Sequence, residues 1–168
     1  AIMARRNPWW IPPFLGRAPA TIDDRSLNLL GIVSLALLFE EYDTALLTAA
    51  LKQIAEELAL PEQKLGLYLG LIRFGALPAF VLIPLSDRIG RRLAFVSATT
   101  ILGALTFASA FAQTAEQFVW LQVVVRTFVV ASSAVAVVIV TEELPAEHRG
   151  WGLGMMAALG LIGHGLCA

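Results

Sequence analysis

The stretch LSDRIGRRLAF (Leu85–Phe95) places one Asp and three Arg in a seven-residue gap, Ser86–Arg92, between two segments that are otherwise almost wholly apolar. Its surroundings explain the concentration of charge. The 168 residues are 58% hydrophobic and only 15% charged, with a mean hydropathy of +0.75. That balance is too apolar for an ordinary soluble domain and puts the chain in the membrane class. A formal net charge of -1 offers no basic field for nucleic acid, so no nucleic-acid partner is expected. The single Cys167 has no companion for a disulfide or a metal site, and no metal or cofactor is expected.

About 20 apolar residues carry a helix across a bilayer. Windows of that length run over 29–51, 65–85, 93–112 and 118–140, and a fifth Gly-rich run starts near Trp151. The fold class expected is therefore an all-α transmembrane helix bundle. Residues 1–28 read as a polar cytoplasmic tail, and residues 29–168 as a bundle of about five helices that stops before a sixth. Outside the spans, Arg5, Arg6, Arg17, Arg25, Arg88, Arg91, Arg92 and Arg149 fall on one side if the spans alternate, against Lys52 and Lys64 on the other. The positive-inside rule then places the N-terminus in the cytoplasm of a multi-pass protein of the plasma (inner) membrane.

The quoted gap is the tight turn of an antiparallel helix hairpin, with Gly90 free to take the backbone angles such a turn needs. Asp87 is expected near the start of the following helix, where a carboxylate meets unpaired N–H groups and the positive end of the helix dipole. The neighbouring arginines can pair with it or with lipid phosphates.

Here the sequence resembles the major facilitator superfamily, whose loop between helices two and three reads roughly G-x-L-a-D-R-x-G-R-R. Leu85, Asp87, Arg88, Gly90, Arg91 and Arg92 match that pattern, with Ile83 in place of the usual Gly. After helix four, EELPAEHRG (Glu142–Gly150) is similar to the loop of sugar porters and metabolite:proton symporters at Glu143, Pro145, Arg149 and Gly150. The resemblance implies a secondary transporter working by alternating access, with these residues forming a cytoplasmic gating motif. It implies the first half of such a protein, with a missing C-terminal half as partner alongside the small-molecule substrate, protons and the lipid bilayer.

Ionisable groups inside spans are costly and mark pathways. Helix one carries Glu40, Glu41 and Asp43, helix two Arg73, and helix four Arg126. By rise per residue, Asp43, Arg73 and Arg126 each lie about 12 Å below the outer boundary. Glu40 and Asp43, three apart, share a face of helix one, whereas Glu41 points well away from Asp43. Burial and a like-charged neighbour raise a carboxylate pKa while an arginine lowers it, so movement of Arg126 against Asp43 or Glu40 would take up or release a proton. The resemblance to sugar porters implies that role for Asp43 and Arg126. The set expected for proton coupling and the substrate cavity is thus Glu40, Asp43, Arg73 and Arg126.

Two alternatives stay open at this point. The buried charges pair only to hold helices together, or the chain is a non-transporting membrane fragment. An enzyme is not expected, because no nucleophile elbow or His/Cys metal spacing is present. His164 reads as a packed or incidental side chain, GLYLG and GWGLG as close-packing glycine steps, and Trp9, Trp10 and Trp120 as interface anchors.

Overall fold

The structure, a computed structural model, describes residues 7–57 and 62–167, without the side chains of 51, 52, 57, 62, 63 and 65. Arg5 and Arg6, counted in the charge asymmetry, and the side chain of Lys52 lie outside the described residues. Six α-helices follow in order: α1 Asp24–Glu57, α2 Glu62–Phe74, α3 Ala79–Ile89, α4 Arg91–Ser109, α5 Ala115–Glu143 and α6 Arg149–Gly165. No strand occurs among the described residues, and the chain is an all-α membrane helix bundle.

Gly66–Ile89, Arg91–Ser109 and Ala115–Glu143 are each long and apolar enough to cross a membrane. In the first two only 11% and 17% of the apolar window is buried within the chain. Phe80, Val81, Phe107 and Trp120 stand exposed, an arrangement that lipid or further protein must cover. The 34 residues of α1 are ample in length, but Glu40, Glu41 and Asp43 interrupt its apolar stretch.

Local chemistry sets the helix ends. Asp23 precedes α1, and its carbonyl accepts the Leu27 N–H at 3.1 Å. The Ser26 hydroxyl, and behind it backbone N–H groups, hold the exposed Asp23 carboxyl below the usual carboxylate range. At α5, Thr114 Oγ1 accepts the Gln117 N–H at 3.2 Å while Gln117 Oε1 accepts the Gln113 N–H at 3.2 Å, a capping-box arrangement. Between α3 and α4 the linker is one residue, Gly90 at φ +100°, a value at which any other residue would be strained.

The segment expected as one continuous span over 65–85 is broken. From Gly75 to Pro78 the backbone tightens into i→i+3 bonds, Gly75 N to Ile72 O, Ala76 N to Arg73 O and Leu77 N to Phe74 O, each 3.0–3.1 Å. Pro78 has no N–H to continue the ladder, so α2 stops and α3 restarts after it.

The chain divides into two compact units, one of residues 1–46 with 137–168 and one of residues 47–136. In the first, Leu27, Leu30, Val33 and Leu37 of α1 are buried, as are Ile139 and Val140 of α5 and Met155, Met156 and Leu159 of α6. The N-terminal segment belongs to this core. Trp10, Ile11 and Ile22 are buried, with the Trp10 indole against Gly31 of α1 where a Cβ would clash with it. Asn7 closes the segment into a loop, donating from Nδ2 to the Gly16 carbonyl at 2.8 Å and accepting the Ala18 N–H at 3.1 Å. A polar tail describes Thr21 and Asp23 but not these apolar roots. In the second unit, Ala79, Phe95, Ala98, Leu102, Phe118, Val119 and Val125 are among the buried residues.

Candidate functional site

In the second unit, α5 lies along the helix break. Thr127 donates its hydroxyl to the Gly75 carbonyl at 2.6 Å, and a Cβ on Gly75 would run into the Val123 carbonyl oxygen. A carbonyl freed by the broken helix is therefore satisfied by a side chain of α5, as a low-dielectric setting demands. Two expected residues flank this junction in sequence. Arg73 occupies the last turn of α2, two residues before Gly75, and Arg126 immediately precedes Thr127. Arg73 is exposed, Arg126 is half-buried, and Gln122, one turn before Arg126, is buried. The helix break carries no sequence signal as clear as charge, but the Gly75–Pro78 spacing is where it resides.

In the first unit, Glu40 is buried at 5% exposure and Asp43 is half-buried on α1. Thr44 donates its hydroxyl to the Glu40 carbonyl at 2.9 Å, so the backbone of this acidic turn is held by a side chain of its own helix. Glu41 turns to α6, where its carboxylate Oε2 is 3.8 Å from Nδ1 of His164. That neighbour was not anticipated from the sequence, since 123 residues separate the two positions by number.

The turn after α3 differs from expectation in one respect. Asp87 sits in the last turn of α3, not at the start of α4, because α3 runs on to Ile89 and only Gly90 intervenes. Its carboxylate reaches across that residue to Arg91, with Nε at 2.8 Å from Oδ1. Arg91 opens α4, so the pair fastens the end of one helix to the beginning of the next. Arg88 and Arg92 are exposed on either side. Behind the turn, Leu82, Leu85, Ile89, Ala98, Phe128 and Val135 line an apolar cavity of about 80 Å³.

The second expected motif is built in the first unit. Glu143 ends α5, and its carbonyl lies 3.3 Å from the Ser26 hydroxyl. Ala146–His148 form a 3-10 turn after Pro145, and Arg149 opens α6 with Nε donating to the Leu144 carbonyl at 3.3 Å. Gly150 is exposed. His148 hydrogen-bonds the Thr21 hydroxyl and lies 3.4 Å from the Glu147 carboxylate, so the N-terminal segment is held to this loop as well as to α1. Among the described residues no group of His, Cys, Asp and Glu has the arrangement of a metal site.

The family described as Major Facilitator Superfamily matches residues 33–168. The chain is 29% identical over 141 residues to the niacin transporter NiaP of Acinetobacter baylyi, a match that covers 78% of this chain and 32% of that protein. The chain thus spans about a third of the relative's length. No solved structure matches the chain significantly.

Proposed function

The chain belongs to the major facilitator superfamily, and from that membership we propose that it is the N-terminal part of a proton-coupled secondary transporter for a small anionic metabolite. The family match over 33–168 carries the reading and points to a transporter rather than an enzyme. The substrate class is supported by two arginines on neighbouring stretches of the second unit, Arg73 at the end of a broken helix and Arg126 on α5. A guanidinium stays protonated in an apolar setting and binds carboxylates in bidentate fashion. Niacin, the substrate in the name of the similar protein, is a small carboxylate of this kind.

In this proposal Glu40, Asp43, Arg73 and Arg126 line the proton-coupling and substrate cavity. Asp43 alternates between pairing with Arg126 and carrying a proton. The turn of Asp87, Arg88, Gly90, Arg91 and Arg92, with Glu143, Arg149 and Gly150, gates the cytoplasmic side. The protein rocks between inward- and outward-open states in the plasma membrane with its N-terminus in the cytoplasm, together with a C-terminal half. A structural role for the charges is the competing reading.

Asp43→Asn separates the two. Asn mimics a permanently protonated Asp, so uphill accumulation of radiolabelled niacin driven by a proton gradient is expected to be lost while counterflow exchange persists. A structural pair instead loses both activities, because removing one partner leaves the other charge uncompensated. Absence of any niacin uptake by the unaltered full-length protein overturns the choice of niacin as substrate.

A further inference from the structure

Where α6 meets α1, glycines replace side chains. A Cβ on Gly163 would collide with the Leu38 carbonyl oxygen, and one on Gly160 would lie 3.5 Å from Glu41 Cγ. Only a helix face without side chains allows this approach. It brings His164, the residue after Gly163, to the Glu41 carboxylate at 3.8 Å. Both side chains keep an open side, with exposures of 57% and 47% within this chain. The pair sits on apolar helices, where an ionisable group without a task is disfavoured.

Starting from neutral imidazole and ionised carboxylate, a histidine beside a carboxylate can take up one proton or two. With one, the pair is His⁺ and carboxylate, or neutral imidazole and carboxylic acid. With two, it is His⁺ and carboxylic acid. Neither exchange breaks any bond other than N–H or O–H, and histidine is the side chain whose ordinary titration falls in the physiological range. The groups that share this surroundings are few. On α1 the nearest in sequence are Glu40, Tyr42 and Asp43, the first unit's part of α5 has Glu142 and Glu143, and α6 itself opens with Arg149. The pair stands apart from Arg73 and Arg126 in sequence and from the cytoplasmic motif residues of the loop after α5.

We propose that Glu41 and His164 form a second protonation site of the transporter, which loads and releases protons and sets the pH range of transport. This rests on the transporter reading above and adds residues that it does not use. The geometry that carries it is the glycine-lined contact of α6 on α1.

The test uses the full-length protein in proteoliposomes and has two readouts. The first needs no substrate. His164, identified by the signal that His164→Gln removes, is followed by nuclear magnetic resonance of labelled histidine, and its titration midpoint is expected to move when Glu41 is replaced by Gln. An unmoved midpoint overturns the pair. The second is the pH profile of proton-driven niacin uptake, expected to flatten between about pH 5 and 8 in His164→Gln, with counterflow at a fixed pH retained. A His164→Gln profile that matches the unaltered protein's overturns the proposal. Should the unaltered protein take up no niacin, the substrate assignment fails and the histidine titration alone decides this one. Should His164→Gln lose counterflow as well, the Glu41→Gln titration again decides.

Discussion

At Gly163 a single hydrogen atom in place of a methyl group determines whether two helices meet. Its position against the Leu38 carbonyl leaves no room for a Cβ, whereas Gly103 on α4 has nothing within 4 Å. Gly163→Ala is therefore expected to force α6 off α1 at a cost of about 1–3 kcal/mol. Gly103→Ala should stay within about 1 kcal/mol of the unaltered chain. Thermal unfolding in detergent, read side by side, checks this, and equal midpoints for the two variants would refute close packing at Gly163. The sequence shows both residues as glycine in an apolar run, and periodicity alone does not separate them. Their difference arises from a backbone carbonyl more than a hundred positions away.

Among the helices, the break between α2 and α3 joins local and tertiary chemistry. Pro78 ends the ladder and α5 supplies the donor that the exposed carbonyl lacks. Replacing Thr127 by Val keeps the shape and removes that donor, leaving the Gly75 carbonyl unsatisfied, so a loss of about 1–2 kcal/mol is expected. Thr127→Ser keeps the hydroxyl and should recover most of it. A Val variant as stable as the Ser variant in the same unfolding assay would deny the brace any energetic weight. Long apolar runs made the spans legible from the sequence, because burial of a helix in lipid depends on composition more than on partners. Charge made Asp87, Glu40 and Asp43 legible for the same reason. The helix break, the Asp87–Arg91 clasp across one residue and the Glu41–His164 contact were not, since each depends on which backbone or side chain a second element presents. The N-terminal segment was obscured in a different way. Its prolines and arginines suggest a solvated tail, while Trp10, Ile11 and Ile22 are spaced too irregularly to signal the face they bury.

For the whole molecule, the distribution of cations predicts its orientation. Residues 85–92 are expected on the cytoplasmic side, and the turn between α4 and α5 on the opposite side, because the candidate span Arg91–Ser109 lies between them. Cys introduced at Gln113, which is exposed, is expected to react with an impermeant maleimide added outside intact cells. Cys at Ile89, also exposed, should react only after permeabilisation. The reverse pattern would invert the protein in the membrane. Apolar side chains left uncovered on α3, α4 and α5 are compatible with contact to lipid.

The bond between Thr21 and His148 spans 127 positions. During synthesis Thr21 leaves the ribosome long before its partner exists, and α1, α4 and α5 must all be made before the loop that carries His148 emerges. The Thr21 side of this bond is thus made well before the bond can form. The Thr21 hydroxyl is without this partner throughout that interval, a window in which a chaperone or the insertion machinery meets the segment first.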